Sequence, residues 1–185
     1  MADLIDPWAS FSLDYDKLVN QFGIAKVSDI LSEIENPQRL MKRGVIFGHR
    51  EFNEINKLIA QNKDFAVVTG MMPSGQMHIG HKMIVDQLKW YQEKGAMLSL
   101  PIADLESYAA RGMSFEKGRE IAVNEYLTNW IALGLDLEKD NVNVYLQTKL
   151  FRTWLLKHPV KPISISLKLF MDLLHQQILL ISKHL

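Results

Sequence analysis

Apolar residues in the first third of the chain recur at helical spacing. Leu18 and Phe22, then Val27, Ile30, Leu31 and Ile34, fall three or four apart, with Ser28 in the place of an N-cap. Asn36-Pro37 interrupts the pattern. After Gly44-Val-Ile-Phe-Gly48, the residues Phe52, Ile55 and Ile59 share one face of a helix expected over residues 49–62. Residues 1–62 therefore read as a helical N-terminal extension.

The period changes at Phe65. Phe65-Ala-Val-Val-Thr69 is a short continuous apolar run ended by Gly70, the pattern of a strand covered on both faces. Met71 to Met77 holds Pro73, Ser74 and Gly75 and reads as a loop. Ile79, Met83, Val85, Leu88 and Tyr91 mark a helix from His78 to Lys94 that stops at Gly95. Met97 to Ala103 is a second buried strand, whose carboxyl end carries Asp104 and Glu106. Ser114, with Glu116 in the first turn, opens a helix through Ile121, Tyr126, Trp130 and Leu133 to Gly134. Val142, Val144 and Leu146 alternate in a third strand over residues 141–146. Strand, helix, strand, helix, strand is a βαβαβ unit with parallel strands, and such sheets bind ligands beyond the carboxyl ends of their strands. Residues 63–150 thus form one α/β unit.

Composition narrows the possibilities. The chain has 185 residues, 48% hydrophobic and 23% charged, as in ordinary globular proteins. It has no cysteine, which excludes disulfides, thiolate catalysis and thiolate-bound zinc. Met1 to Asp6 has neither the basic nor the apolar segment of a leader. The apolar stretch from Ile163 to Ile181 is broken by Lys168, Asp172, His175, Gln176 and Gln177, so a soluble cytoplasmic chain with no membrane partner is expected. Formal charge sums to zero but unevenly, with +4 on residues 151–185 and −4 on residues 1–150.

The segment most able to carry chemistry is the turn between the first strand and its helix, Thr69-Gly-Met-Met-Pro-Ser-Gly-Gln-Met-His-Ile-Gly-His81. It is neither the G-x-G-x-x-G fingerprint nor a P-loop. His78 and His81 flank Gly80 on the first helical turn, where the positive end of the helix dipole favours an anion. Imidazoles at i and i+3 share a face from which both can donate to phosphate oxygens, and Gly80 leaves room for a flat ring against the backbone. The other reading of His-x-x-His is a metal pair, with Asp104 or Glu106 as third ligand.

Pro73-Ser-Gly-Gln-Met-His-Ile-Gly-His81 resembles the HIGH signature of class I aminoacyl-tRNA synthetases. Asp6-Pro7-Trp8, Arg43-Gly-Val-Ile-Phe-Gly-His-Arg50, Thr69-Gly70, Ile102-Ala-Asp-Leu-Glu106 and Ala110-Arg-Gly112 follow the order found in tryptophanyl-tRNA synthetases of the archaeal type, over about residues 3–150. The resemblance implies a Rossmann-like, HUP-type parallel sheet of which the βαβαβ unit is the first half, so the fold in this chain is incomplete. It also implies ATP-dependent activation of tryptophan to tryptophanyl-adenylate and transfer to tRNA(Trp), with Mg2+ accompanying the ATP, in a homodimer. Carried onto this sequence, His78 and His81 are the catalytic positions. Met72, Pro73, Ser74, Gly75, His78, Gly80 and His81 contact ATP, while Val68, Gly70, Met71, Asp104 and Glu106 meet the amino acid. No residue is expected as a metal ligand. Where eukaryotic relatives contact tryptophan with a Tyr before the Thr-Gly and a Gln on the second strand, this chain has Val68 and Pro101. A tyrosyl-tRNA synthetase-like enzyme, a nucleotidylyltransferase with a His-x-Gly-His turn and a non-catalytic RNA- or partner-binding module are the alternatives.

Residues 151–185 depart from this pattern. Leu167, Phe170, Leu174, Ile178, Ile181 and Leu185 make a plain amphipathic stripe on a basic terminal helix. A sharper reading is translation out of frame. With codons read from the last base of the preceding one, the tail permits a peptide resembling the next segments of archaeal tryptophanyl-tRNA synthetases, and Met171 followed by Asp172 then necessarily encodes Gly. The expectation is a non-native tail on an unfinished enzyme of impaired activity, since no Lys-Met-Ser-Lys-Ser-like ATP loop occurs in the sequence.

Overall fold

In this computed structural model residues 23–150 are described, and they fall into two compact units divided after Lys63. The expectations on Asp6-Pro7-Trp8, Leu18, Phe22 and residues 151–185 lie outside the described residues.

In the first unit, Ala25–Lys26 (β1) pairs antiparallel with Gly48–His49 (β2), a strand pair the helical pattern does not announce. The helix expected from Ser28 begins at Val27 and lasts one turn (α1, Val27–Ile30) before a 3-10 turn at Leu31–Glu33. The Ser28 hydroxyl donates to Asp29 instead of capping the backbone. A helix this short is not stable by itself, so burial of Val27 and Ile34, not propensity, fixes the segment. Buried Gln38 caps α2 (Arg39–Lys42) by accepting the Leu40 N–H. The helix expected over residues 49–62 is the shorter α3 (Phe52–Ala60), because Gly48 and His49 are taken by β2. Asn56 of α3 donates to the Glu33 carbonyl at 3.1 Å.

The second unit carries the parallel sheet. β3 (Ala66–Val68), β4 (Met97–Ile102) and β5 (Val142–Leu146) lie side by side in that order, with Val67 opposite Leu98 and Leu100 opposite Val144. Leu98, Leu100 and Ile102 on central β4 are buried, as are Val85 and Leu88 of α4 (Ile79–Glu93). β3 has one partner among the described residues and is half-buried along its length, not covered on both faces. Gln92 near the end of α4 clamps the chain before β5: its Nε2 donates to the Asp136 carbonyl at 2.6 Å and its Oε1 accepts the Asp136 N–H at 3.1 Å.

Pro101 sits in central β4, where a proline deletes a ladder donor. Its carbonyl accepts from Met71 N–H at 3.3 Å, and the Ser99 carbonyl accepts from Thr69 N–H at 3.2 Å. In a parallel ladder the amide of residue 101 would therefore donate to the Thr69 carbonyl, and proline has no such amide. The β3–β4 ladder loosens at the point where the loop leaves the sheet.

The Asp104-Leu-Glu106 stretch is not a strand end. It opens α5 (Asp104–Arg111), with both acids in the first turn and Arg111 in the last. Ser114 accepts from Lys117 N–H and caps α6 (Phe115–Ile121), as its sequence position implies. α6 continues through a π turn at Ala122–Leu127 into α7 (Thr128–Ala132). Among the described residues, no helix is long and apolar enough to cross a membrane.

Candidate active site

The first βα loop is anchored before it reaches the histidines. Met71 bridges to β4: its amide donates to the Pro101 carbonyl, and its carbonyl accepts from Ala103 N–H at 3.0 Å. Pro73 is fully buried, and its carbonyl accepts from the buried Ser107 hydroxyl of α5 at 2.8 Å. Gly70 presses against β4 so closely that a Cβ there would lie 2.8 Å from the Pro101 carbonyl oxygen. Of Met71, expected to meet the amino acid, and Met72 and Pro73, expected to contact ATP, only Met72 keeps a partly accessible side chain. Ser74 is exposed, Gly75 has open space around it, and Val68 is half-buried at the end of β3.

His78 and His81 then cap α4 reciprocally. The His78 Nδ1 accepts from Gly80 N–H at 3.2 Å, and the His81 Nδ1 accepts from His78 N–H at 3.2 Å. The rings stand 3.9 Å apart, centroid to centroid, tilted by 38°. Because each Nδ1 is an acceptor, each neutral ring carries its proton on Nε2, a tautomer assigned by the hydrogen bonding. The pair thus presents two N–H donors at the positive end of a helix of 15 residues. Burial first, and the neighbouring His78 second, hold the pKa of His81 below its ordinary value. A Cβ on Gly80 would meet Cε1 and Nδ1 of His78 at 3.1 Å, so this glycine makes room for the imidazole of its own neighbour.

The two acids have unlike surroundings. Asp104 is buried, and its oxygens accept from Thr148 N–H at 3.0 Å and from the Thr148 hydroxyl at 2.5 Å. Its carboxylate ties the start of α5 to the chain leaving β5. Glu106 is half-buried and accepts from Gln147 Nε2 at 3.1 Å, and its second oxygen has no hydrogen-bond partner among the described residues. Sequence reasoning misses Ser107 and Thr148, and it places Tyr126 only on the apolar face of a helix. The signals for α5 were nonetheless present, in first-turn acids, a last-turn Arg111 and the stop at Gly112.

No group of three or more His, Asp or Glu among the described residues could hold a metal ion. With both Nδ1 atoms engaged, the imidazole pair is arranged as a donor pair, while magnesium takes oxygen ligands.

A parallel sheet whose first βα turn leads into a helix capped by two imidazoles defines a Rossmann-like unit. The family of class I tRNA synthetases for tryptophan and tyrosine matches residues 60–161, and the chain belongs to it. It lies within class I, to which the Pro73 to His81 signature points, and it includes the tryptophanyl branch that Arg43 to Arg50 and Ile102 to Glu106 resemble. The tryptophan–tRNA ligase of Methanocaldococcus jannaschii is 52% identical over 146 residues, covering 78% of this chain and 39% of that protein. The Methanopyrus kandleri tryptophan–tRNA ligase is 44% identical over 149 residues, covering 79% of this chain and 40% of its own. The crystal structure of tryptophanyl-tRNA synthetase from Aeropyrum pernix matches with a TM-score of 0.68 at 41% identity, over 85% of this chain and 45% of that one. The Encephalitozoon cuniculi enzyme bound to tryptophan matches at 0.65 and 28% identity, over 80% of this chain and 44% of that one. The chain spans about two fifths of the curated relatives it matches.

Proposed function

We propose that this chain carries the ATP- and amino-acid-binding half of a tryptophan–tRNA ligase, which activates tryptophan with ATP and passes it to tRNA(Trp). The observation that carries the reading is the reciprocal His78–His81 cap, which leaves two Nε2–H donors at the head of α4. In the first step a tryptophan carboxylate oxygen attacks the α-phosphorus, the bond to the β-phosphate breaks, and pyrophosphate leaves. In the second the adenylate's acyl group passes to a ribose hydroxyl of the tRNA and AMP departs. Neither step needs a proton-transfer group at phosphorus. What is required is a positioned nucleotide and donors for the charge that builds on the phosphate oxygens, which neutral imidazoles at a helix N-terminus supply.

In this reading His78 and His81 donate to ATP phosphates and Gly80 keeps their backbone open. Ser74 and Gly75 line the approach, and magnesium arrives with the nucleotide. The free oxygen of Glu106 takes an N–H of tryptophan, either the α-amino group or the indole. Asp104 acts at one remove, by bracing α5. The similarity to archaeal tryptophan–tRNA ligases favours tryptophan over tyrosine. A homodimer belongs to the proposal, supported by the exposed Val123 and Ile131 on the π turn and α7.

Isothermal titration and thermal shift with ATP, tryptophan and tyrosine test the reading. ATP is expected to stabilise the chain, tryptophan to add to that effect, tyrosine to add little, and His81→Ala to abolish the ATP response. No response to ATP, or a larger one to tyrosine than to tryptophan, overturns it.

A further inference from the structure

The helical stretch from α6 through the π turn to α7 buries a stripe at four-residue spacing. Gly118, Ala122, Tyr126 and Trp130 all face inward, the last three each 1% exposed. On a helix of about 3.6 residues per turn, each four-residue step overshoots by roughly 40°, so the stripe would wind round to the side within three steps. The i→i+5 bonding of the π turn at Ala122–Leu127 takes up that drift. Side chains close over it: the Thr128 hydroxyl donates to the Val123 carbonyl at 2.9 Å, and Asn129 Nδ2 donates to the Glu125 carbonyl.

Tyr126 is the residue this irregularity delivers. Its ring meets His81 edge-on at 5.3 Å and 68°, and its hydroxyl lies 3.5 Å from His81 Nε2. His81 is thus addressed at both nitrogens, at Nδ1 by the His78 amide and at Nε2 by the phenol. A flip of the imidazole would lose both contacts.

We propose that Tyr126 is a positioning residue for His81: the π turn carries its hydroxyl to the outer nitrogen, which fixes the ring's rotation and so aims the Nε2–H, already set by the His78 amide at Nδ1, at the place where a nucleotide phosphate oxygen would accept its hydrogen bond. The contact is long enough for an arriving phosphate oxygen to take over the Nε2–H. The role toward ATP rests on the function proposed above, whereas the geometry around His81 does not.

The test uses the 185-residue chain and Tyr126→Phe, which keeps the ring contact and removes the hydroxyl. Long-range 15N correlation spectra of the His81 side chain report its tautomer directly. The Nε2–H form is expected in both proteins, with the His81 Nε2 resonance shifted in Tyr126→Phe and ATP affinity weakened about 3- to 10-fold, the scale of one hydrogen bond. Tryptophan affinity and the melting temperature are expected to hold. If Tyr126→Phe fails to fold, 3-fluorotyrosine incorporation preserves packing and alters the acidity of the hydroxyl, and the His81 Nε2 resonance is expected to move. An unchanged His81 spectrum in either protein overturns the proposal. Failure of the parent chain to bind ATP overturns the function reading alone, since the spectrum still decides the role of Tyr126.

Discussion

His78 and His81 each give up one ring nitrogen to the backbone of the turn they share, His81 Nδ1 accepting the His78 amide at 3.2 Å while His78 Nδ1 accepts that of Gly80. Protonating either ring turns an acceptor into a donor facing a donor, and half of the cap is lost. Because the folded chain holds the pKa of His81 below its ordinary 6.5, by burial and by the nearby His78, the unfolded chain binds that proton more readily. The stability tied to neutral His81 is therefore present in full above about pH 6.5 and drains away as pH falls from there through the lowered value. The melting temperature is expected to be flat from about pH 8 to 7 and to drop below that, with a shallower drop in His81→Ala. Parallel profiles for the two proteins down to pH 5 would contradict the cap.

Gly80 in the first turn of α4 and Gly75 in the loop before it should respond differently to alanine. A Cβ on Gly80 meets the His78 ring at 3.1 Å, whereas one on Gly75 meets nothing within 4 Å. Gly80→Ala gains helix propensity worth up to about 1 kcal/mol, so its melting temperature should hold or rise, but His78 must swing aside. ATP affinity is expected to fall several-fold in Gly80→Ala and to stay within about twofold in Gly75→Ala, as read by titration calorimetry. Equal affinities would remove Gly80 from the site.

Much of this arrangement was legible in the residues. Three β-rich runs separated by long amphipathic stretches gave the parallel sheet, and Ser114 capped the helix its position implied. The imidazole pair was found because its spacing and its place after a strand both point to a helix N-terminus. What stayed hidden depends on geometry that single residues do not encode. Asp104 and Glu106 read as the carboxyl end of the second strand, although two acids after a strand equally suit the first turn of a helix such as α5. β1 and β2 are two residues each, too short for any period. The π turn shows in the sequence only as a stripe that keeps strictly to every fourth residue, Gly118, Ala122, Tyr126 and Trp130, where an α-helix would mix threes and fours.

Gly70 tests how tightly the loop leaves the sheet. Alanine there would place a Cβ 2.8 Å from the Pro101 carbonyl oxygen and 3.2 Å from its Cγ, and backbone cannot yield as a side-chain tip can. Gly70→Ala is expected to destabilise the chain by about 1–3 kcal/mol, measured by urea denaturation, with the slope of the transition unchanged. A loss below about 0.5 kcal/mol would mean that the loop is not pinned to β4 in solution.

The two acids of α5 should separate by the property each variant loses. Asp104 is 1% exposed and both its oxygens accept from Thr148, so Asp104→Ala strands the Thr148 donors near the sheet's carboxyl end. Unfolding free energy is expected to fall by about 2–3 kcal/mol, the cost of losing hydrogen bonds to a buried charged group. Glu106 is half-buried, holds Gln147 with one oxygen and keeps the other free of partners among the described residues. Glu106→Gln removes charge and one acceptor while leaving a side chain of the same length. Its melting temperature is expected to stay within a few degrees of the parent, while tryptophan affinity falls about tenfold, the equivalent of roughly 1.4 kcal/mol. The cross-comparison decides the assignment. If Asp104→Ala melts normally but loses tryptophan, and Glu106→Gln keeps it, then the roles of brace and ligand are reversed.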